Sequence, residues 1–375
     1  MKRILSMILV CMLFISLVGC GGKSEQGASS TEPKSDAAES ETKEPFKVIL
    51  VVTGQLGDKS FNDSAASGIE MIKNDSELNV ETKIIEIGRD QTQWEPTFTD
   101  LAEAADYDVI VTNGSNAKET VVKVAGMYPE QKFIMYDTTL KDDEKLPNIY
   151  AMSYKQNEAS YLGGVLAASM SETGKIGFLG GSEHPVISDF LVGYIEGALS
   201  VNPDIEVYVG YIGSWSDTAA GKTSANAQLA NGVDVIFPAA ETAGLGAIEA
   251  AKDAGKLAIG VDSDQAMLYK GVDEAMANTI LSSVLKNVGD SIHRAVGLEV
   301  KGELKWGDYE VIGVAEGGTG LADNEYFRAN VPEDVIKAIE NAEAEIKDGS
   351  VTVSTALGVD QSVVDKIINS AAPGR

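Results

Sequence analysis

The chain has 375 residues, a formal net charge of −27 at pH 7, and only two histidines, His184 and His293. A protein this acidic repels nucleic acid and anionic lipid head groups, so we expect neither as a partner. Two histidines are too few for a multi-histidine metal site, and the sequence predicts no metal and no cofactor.

The first twenty residues have the pattern of a bacterial lipoprotein signal peptide. Lys2 and Arg3 form a basic start, residues 4–18 are almost wholly apolar, and the segment ends in LVGC at Cys20. The apolar run is too short for a comfortable membrane span. We therefore expect cleavage before Cys20 and lipidation of that cysteine; an ordinary signal peptide with a stray cysteine is the alternative. Cys11 leaves with the signal peptide, so the folded body has no disulfide and no thiolate nucleophile.

A tether is predicted over residues 21–46. From Gly21 to Pro45 the chain contains no apolar residue larger than alanine, so it cannot bury enough surface to offset the entropy of ordering. A lipid anchor followed by such a tether describes a globular body held at the outer face of a bacterial cell membrane.

The body begins with a buried strand and a polar loop. Residues 48–52 are a continuous apolar run, and the loop GDKSFNDS follows, in which Phe61 stands among Asp58 and Asn62. Ligands of open α/β sheets bind at such strand-to-helix loops. Phe61 is either a stacking surface for a ligand or a hydrophobic staple at the helix entry.

Strand-like and helix-like segments alternate along the rest of the body. This alternation predicts an α/β protein of two doubly wound parallel-sheet lobes. We expect lobe 1 at 47–154 with about 265–310, and lobe 2 at 155–264 with about 311–375. The predicted strands are 48–52, 83–87, 108–112, 132–136, 175–179, 205–211, 234–237, 257–261 and 310–315. The predicted helices are 117–127, 158–170, 187–200, 219–230, 243–254 and 279–299.

Two glycine-containing segments resemble nucleotide-binding loops only in part. Gly221-Lys222-Thr223 lies between a strand and a helix, but Ser216 replaces the glycine that a phosphate loop requires. We interpret this segment as a helix start. The glycines of AEGGTGLADNE lack dinucleotide-binding spacing and indicate a flexible crossing or a tight loop.

Polar and aromatic side chains follow two strands of the second half. Asp262 and Asp264 come directly after the strand 257–261, where carboxylates can accept hydrogen bonds from ligand hydroxyls, act as an acid/base pair, or cap the next element. Trp215 lies just beyond the strand 205–211, and by sequence order we expect it to occupy a place equivalent to that of Phe61, one in each half of the chain. Two such aromatics can sandwich a flat ligand in a cleft.

The segments GDKSFNDS, NEASYLGGVLAASMSETGKIGFLGG, GYIGSWSDTAAGK and IGVDSDQ resemble the basic-membrane-protein family in order and spacing. That family consists of substrate-binding lipoproteins of ABC transporters and includes a purine nucleoside receptor. The resemblance, over about residues 47–320, implies a type I periplasmic-binding-protein fold with the ligand enclosed between two lobes joined by a hinge. It also implies separate permease and ATPase subunits as partners.

The resemblance assigns roles to particular residues. It implies that Phe61 and Trp215 sandwich a purine, that Asp262 and Asp264 hold ribose hydroxyls, and that Lys286, placed on a following helix, contacts the sugar. The other ligand-binding residues that we expect are Asp58, Asn62 and Asn116, with Asn113 or Ser115 lining the first lobe's wall.

One departure concerns the base. Members that bind nucleosides carry an aspartate that hydrogen-bonds the base, and Val52 occupies that place here. Either Asn116 or Gln55 replaces it, or the ligand is another hydroxylated molecule.

We therefore expect a receptor that delivers a nucleoside to an importer, with no catalytic residue. A receptor for a monosaccharide or another small hydroxylated solute is the alternative, and so is a sensory co-receptor. A surface-anchored hydrolase using Asp262 or Glu241 is less favoured, because no nucleophile accompanies them.

Overall fold

The computed structural model of the chain describes residues 44–374. The predicted signal peptide, the lipidation site at Cys20 and nearly all of the predicted tether lie outside these residues. Phe46, which the prediction placed in the tether, is already the first residue of a strand. Within the described residues, no helix combines the length and the apolar character needed to cross a membrane.

The first lobe alternates strands and helices from residue 46 to residue 154. Its elements in chain order are β1 (Phe46–Val52), α1 (Phe61–Asn74), β2 (Val80–Glu86), α2 (Trp94–Ala104), β3 (Val109–Asn113), α3 (Gly114–Met127), β4 (Lys132–Tyr136) and β5 (Ile149–Tyr154).

The second lobe repeats this alternation and ends on a strand. Its elements are α4 (Gln156–Met170), β6 (Lys175–Gly180), α5 (Pro185–Val201), β7 (Glu206–Tyr211), α6 (Thr218–Ala230), β8 (Val235–Ala239), α7 (Glu241–Asp253), β9 (Leu257–Asp262), α8 (Gln265–Tyr269), α9 (Glu274–Thr279) and β10 (Ile280–Lys286).

The chain then returns to the first lobe and leaves it again. Helix α10 (Val288–Val300) packs on α1, and β11 (Asp308–Ile312) pairs in parallel with β5. The glycine-rich segment crosses back to β12 (Thr319–Leu321), which pairs antiparallel with β10. The last helices are α11 (Glu325–Asn330), α12 (Glu333–Asp348) and α13 (Gln361–Ser370). Of these, α12 packs on α4 and α13 packs on α5.

The predicted lobe division is wrong in the late part of the chain. Residues 265–286 belong to lobe 2 and not to lobe 1, because β10 pairs with β9. Val311 and Ile312, the end of β11, belong to lobe 1 and not to lobe 2, because β11 pairs with β5. The cause is the predicted helix 279–299, whose first part is a buried strand. Ser282 and Ser283 interrupt the apolar run of this strand in the sequence. They can be buried because the hydroxyl of each forms a hydrogen bond with a backbone group of lobe 2.

Both sheets follow the same plan. The strand order is β2-β1-β3-β4-β5-β11 in lobe 1 and β7-β6-β8-β9-β10-β12 in lobe 2. In each, the order reverses beside the lobe's first strand, and ligands of such sheets bind outside the carboxyl ends of the strands at that reversal. The plan therefore directs attention to the loops after β1, β3, β6 and β8.

Strand β1 shows why the sheets are buried. Side chains alternate between the two faces of a strand, so both faces need apolar residues when helices cover both. Val48, Leu50 and Val52 pack with α1 and α10 on one face, and Ile49 and Val51 pack with α2 and α3 on the other. All five are fully buried. The continuous apolar run seen in the sequence is the consequence.

Candidate functional site

A cavity lies between the lobes at the carboxyl ends of the strands. It contains about 490 Å³ of space free of protein atoms, a volume that includes space open to solvent. Its lining residues are Phe61, Arg89, Asn113, Ser115, Asn116, Asp137, His184, Val186, Ile187, Phe190, Trp215, Ala239, Ala240, Glu241, Val261, Asp262 and Lys286.

Phe61 lines the cavity as the first residue of α1. A hydrophobic staple would join the residues before and after the helix start, here Lys59 and Ser64 around the N-cap Ser60, and neither is apolar. The staple interpretation is therefore wrong. The ring of Phe61 lies 5.5 Å from that of Tyr136 and is only 6% exposed, so it serves the core as well as the cavity wall.

Asp58 does not line the cavity but holds the loop that presents Phe61. Its carboxylate accepts hydrogen bonds from the backbone N–H groups of Ser60, Asn62 and Asp63 and from the side chain of Asn62. Burial raises the pKa of Asp58, and these backbone hydrogen bonds oppose the rise. The predicted ligand-binding residues Asp58 and Asn62 are thus supports of the loop.

Asp262 reaches the cavity from the end of β9. Its Oδ2 accepts a 2.7 Å hydrogen bond from the hydroxyl of Ser60, across the two lobes. Its Oδ1 is buried and, in the part of the chain that the structure describes, has no hydrogen-bond partner. Burial raises the pKa of Asp262 to about 6, against the lowering effect of Lys286. An unsatisfied buried acceptor is costly and favours a ligand that donates to it.

Asp264 lies outside the cavity. Its carboxylate caps α8 at the backbone N–H of Met267 and accepts a 2.7 Å hydrogen bond from Asn324. Of the two carboxylates after the strand, only Asp262 faces the ligand space. Capping, one of the roles that the sequence left open, is what the structure shows for Asp264.

Lys286 is the last residue of β10 and not part of a helix, which corrects the implied position. Its ammonium lies 3.0 Å from Asp137 of lobe 1 and 3.8 Å from Asp262. It also lies 4.6 Å from the ring centre of Phe61 and 5.3 Å from that of Phe190. A buried cation paired with carboxylates and faced by rings is held in one position.

Asp137 and Phe190 were missed in the sequence. Asp137 comes directly after β4, the same pattern that drew attention to Asp262, and could have been found by it. Three lining carboxylates share a left-handed backbone, with φ of 63° at Asp137, 48° at Glu241 and 62° at Asp262. Such strain in non-glycine residues is characteristic of functional sites. Phe190 lies inside α5, where its sequence context is that of an ordinary core residue.

The wall of lobe 1 is formed by the end of β3 and the start of α3. Asn113 caps α3 by accepting from the backbone N–H of Ser115. Asn116 donates to the hydroxyl of Thr53 at 3.3 Å. Val52 is fully buried and does not line the cavity, so this wall offers Asn116 as a polar group near the end of β1.

Trp215 lines the cavity from beyond β7, the edge strand of lobe 2. Phe61 follows β1, the second strand from an edge, so the two aromatics are not in equivalent places as the sequence suggested. The residue equivalent to Trp215 in lobe 1 is Arg89, beyond the edge strand β2. Its guanidinium lies 5.3 Å from the centre of the indole and 2.5 Å from Glu241.

An outer pocket shares this end of the cavity. Gln55 lines this outer pocket with Arg89, Trp215 and Glu241. By sequence, it is one of two candidates to replace the aspartate that hydrogen-bonds the base. Gln55 does not line the cavity itself. His184 does, and burial lowers its pKa, so it is neutral near pH 7.

Lys222 takes no part in a phosphate site. It forms ion pairs with Glu249 and Asp253 of α7, at 3.0 and 2.7 Å. Gly221 permits the close approach of α6 to α7, because a Cβ there would lie 1.9 Å from the carbonyl oxygen of Ala243. The glycine therefore serves helix packing, and it lies in the first turn of α6, where the sequence predicted a helix start.

The comparison with protein families decides the assignment. The chain matches the model of the Bmp family, described as ABC transporter substrate-binding protein PnrA-like, over residues 46–355. The chain belongs to the Bmp family. It is therefore a substrate-binding protein of an ABC transporter and not an enzyme. By family it is extracytoplasmic, binds a small ligand, and works with permease and ATPase components.

Curated relatives match along nearly the whole chain. Basic membrane protein A1 of Borrelia garinii subsp. bavariensis is 31% identical over 94% of this chain and 96% of its own length. The ABC transporter nucleoside-binding protein BmpA of Lactococcus lactis subsp. cremoris is 30% identical over 94% and 99%. The family expected from the sequence motifs is confirmed.

Solved structures confirm the type I periplasmic-binding-protein fold. A solute-binding protein of an ABC transporter system from Aeropyrum pernix has a TM-score of 0.75 at 25% identity, over 87% of this chain and 98% of its own. A solute-binding protein from Actinobacillus succinogenes with bound D-allose has a TM-score of 0.57 at 17% identity, over 76% and 99%. The second likeness concerns the fold alone.

Proposed function

We propose that this Bmp-family protein is a lipid-anchored receptor that binds a nucleoside, with a purine base, and delivers it to an ABC importer. The observation that carries the ligand class is the buried Oδ1 of Asp262, which accepts no hydrogen bond from the described residues and lies 3.8 Å from the ammonium of Lys286. A carboxylate acceptor and an ammonium donor together suit vicinal hydroxyls, which both accept and donate hydrogen bonds.

The rest of the cavity supports a ligand with a flat ring. Phe61 and Trp215 line it, and aromatic faces stack on rings with about 0.5–1.5 kcal/mol beyond the burial of area. The Lactococcus lactis relative is named as nucleoside-binding, which agrees with a ring joined to a sugar. Phe61 and Trp215 hold the base, Asp262 and Lys286 hold the ribose, and Asn116 lines the wall of lobe 1.

Binding and transport follow from the two lobes. The ligand contacts both lobes, so it stabilises the closed arrangement over an open one by its differential affinity. The permease then recognises the closed form, and the hinge is the set of chain crossings near residues 155, 287 and 315. The lipid on Cys20 and the tether keep the body near the permease.

Calorimetric titration of the chain, unfolded and refolded to remove carried-over ligand, tests the ligand class. Purine nucleosides, pyrimidine nucleosides, ribose and hexoses are the panel. Saturable binding of purine nucleosides is expected. Binding of free sugars alone would instead establish the hydroxylated-solute alternative, because such a ligand needs Asp262 and Lys286 but no base.

The anchor has a separate test in the bacterium that expresses the chain. The wild-type protein should incorporate a labelled fatty acid and sediment with membranes. The variant Cys20→Ala should do neither. Unchanged incorporation in that variant would contradict lipidation at Cys20.

A further inference from the structure

The cavity has two chemically different ends. Along the sheet of lobe 1 the strand ends run from β4, which Asp137 follows directly, to β2, which precedes Arg89. Lobe 2 runs in the same direction from Lys286 on β10 to Glu241 after β8. Strands β4 and β2 are three places apart, about 14 Å at the usual spacing. A nucleoside whose ribose lies at Asp262 therefore directs its base toward Arg89.

The guanidinium of Arg89 is held by lobe 2. Its Nη2 donates to both carboxylate oxygens of Glu241, at 2.6 and 2.5 Å. Asn62 donates to the same carboxylate at 3.2 Å, and Trp215 lies beside the guanidinium. Glu241 is mostly buried, with a side chain 14% exposed. These contacts bring one planar cation from lobe 1 to a defined place at the end of the cavity.

Arg89 keeps donors for a ligand. Among the residues that the structure describes, no hydrogen bond from its Nε or Nη1 accompanies those from Nη2. A guanidinium donates and does not accept. The edge of a ligand ring that meets it must therefore present acceptors.

We propose that Arg89 reads the edge of the bound base and that the site selects 6-oxopurine nucleosides over adenosine. This inference rests on the proposed nucleoside function. The 6-oxopurines offer two neighbouring acceptors, O6 and N7, and arginine meets that pair in guanine. Adenine presents an amino group in place of O6, so its donor faces the donors of Arg89 and both are left unsatisfied.

Calorimetric titration of the full-length chain with inosine, guanosine and adenosine tests the inference. Inosine and guanosine are expected to bind at least about tenfold more tightly than adenosine, a difference of about 1.4 kcal/mol. In Arg89→Gln the amide offers either a donor or an acceptor, so the preference should fall to about threefold or less. Most of that change should be a loss of inosine affinity.

Two further variants separate base reading from structure. Arg89→Lys retains a group that only donates, so it should keep the preference for inosine. Arg294→Gln is the matched control, because Arg294 pairs with Glu310 and does not line the cavity. Its preference should equal that of the wild type.

The outcomes distinguish the two proposals. Equal affinity of the wild type for inosine and adenosine, or an unchanged preference in Arg89→Gln, overturns the role of Arg89 and leaves the nucleoside receptor standing. Absence of binding to every nucleoside overturns the proposed function and this inference with it.

Discussion

Asp262 is the residue on which the proposed binding of ligand hydroxyls depends most. It stands at the end of β9 in a left-handed conformation, with one oxygen held by Ser60 and the other without a hydrogen-bond partner in the described part of the chain. Its neighbour Asp264, two residues on, is engaged with Asn324 and α8. The pair therefore provides a test residue and a matched control.

Asp262→Asn should weaken binding of a nucleoside and remove the preference for ribose over a dideoxyribose. Hydrogen bonds to charged groups contribute about 1.5–3 kcal/mol, so the affinity should fall by about ten- to a hundredfold. Calorimetry with a nucleoside and its 2′,3′-dideoxy analogue measures this. Asp264→Asn should bind as the wild type does, and a retained preference in Asp262→Asn would remove Asp262 from the hydroxyl site.

The pH dependence of binding follows from the raised pKa. Burial raises the pKa of Asp262 to about 6, so its side chain is mostly deprotonated only above that pH. In the proposed site, the deprotonated form accepts hydrogen bonds from the ligand hydroxyls. Affinity should therefore rise between pH 5 and 7, and it should lose this rise in Asp262→Asn. Binding measured across that range checks it; a flat profile in the wild type would contradict the acceptor role.

The raised pKa of Asp262 affects the stability of the unliganded protein in the opposite direction, so that stability falls where ligand affinity rises. A carboxyl with a raised pKa in the folded state contributes stability below the usual aspartate pKa, and this contribution is lost as pH rises through about 6. Asp262→Asn should therefore stabilise the unliganded chain at pH 7.5, by at most about 3 kcal/mol. Urea unfolding at pH 4 and pH 7.5 measures the difference, which should shrink at the lower pH.

At the scale of elements, glycines determine how closely α4 and α5 pack. A Cβ at Gly197 would lie 2.0 Å from the carbonyl oxygen of Tyr161, and one at Gly164 would lie 2.1 Å from that of Tyr194. An added Cβ would clash with backbone atoms of the facing helix, and backbone atoms cannot rotate away as a side chain can. Gly164 and Gly197 are therefore required by the packing of α4 on α5 and have no contact role in the cavity.

Gly197→Ala should destabilise the protein, because the helices must separate, and overpacking typically costs about 1–3 kcal/mol. Gly126→Ala is the control, since its Cβ would meet only Leu146 at 3.8 Å and alanine favours a helix. Urea unfolding measures the change in free energy of unfolding relative to the wild type. This change should differ between the two variants in sign or by at least about 1 kcal/mol. Equal effects would show that α4 and α5 can shift without strain.

At the scale of the whole molecule, polar contacts join the lobes around the cavity. Besides the pairs of Arg89 with Glu241 and of Lys286 with Asp137, the side chain of Gln265 donates to the carbonyl oxygen of Lys59 at 3.1 Å. The proposed ligand, enclosed by both lobes, would add to these contacts. We therefore expect closure and binding to be coupled.

A bound nucleoside should raise the melting temperature, and the rise should grow with the logarithm of the nucleoside concentration above its Kd. At a concentration of one hundred times its Kd, a ligand that binds only the folded state stabilises it by about 2.7 kcal/mol. Thermal unfolding with and without ligand measures this, and small-angle scattering should show a smaller radius of gyration. An unchanged radius would contradict closure by the ligand while leaving binding intact.

The local pattern of the sequence determined much of the fold. Apolar runs such as residues 48–52 indicated strands buried on both faces, because only helix-covered parallel sheets need them. The motif GDKSFNDS placed Phe61 at a strand-to-helix loop, and IGVDSDQ placed Asp262 at a strand end. These features depend on neighbours along the chain, so they can be found without a structure.

Tertiary structure alone decided which side chains meet. Ser282 and Ser283 satisfy their hydroxyls through distant partners, so β10 did not resemble a strand in the sequence, and Lys286 was misplaced with it. Arg89 and Glu241 are 152 residues apart along the chain and meet only in the folded structure. The crossing of the chain between lobes, which no local pattern encodes, brings such residues to one cavity. Asp264 is held outside it by Asn324, which lies far along the chain.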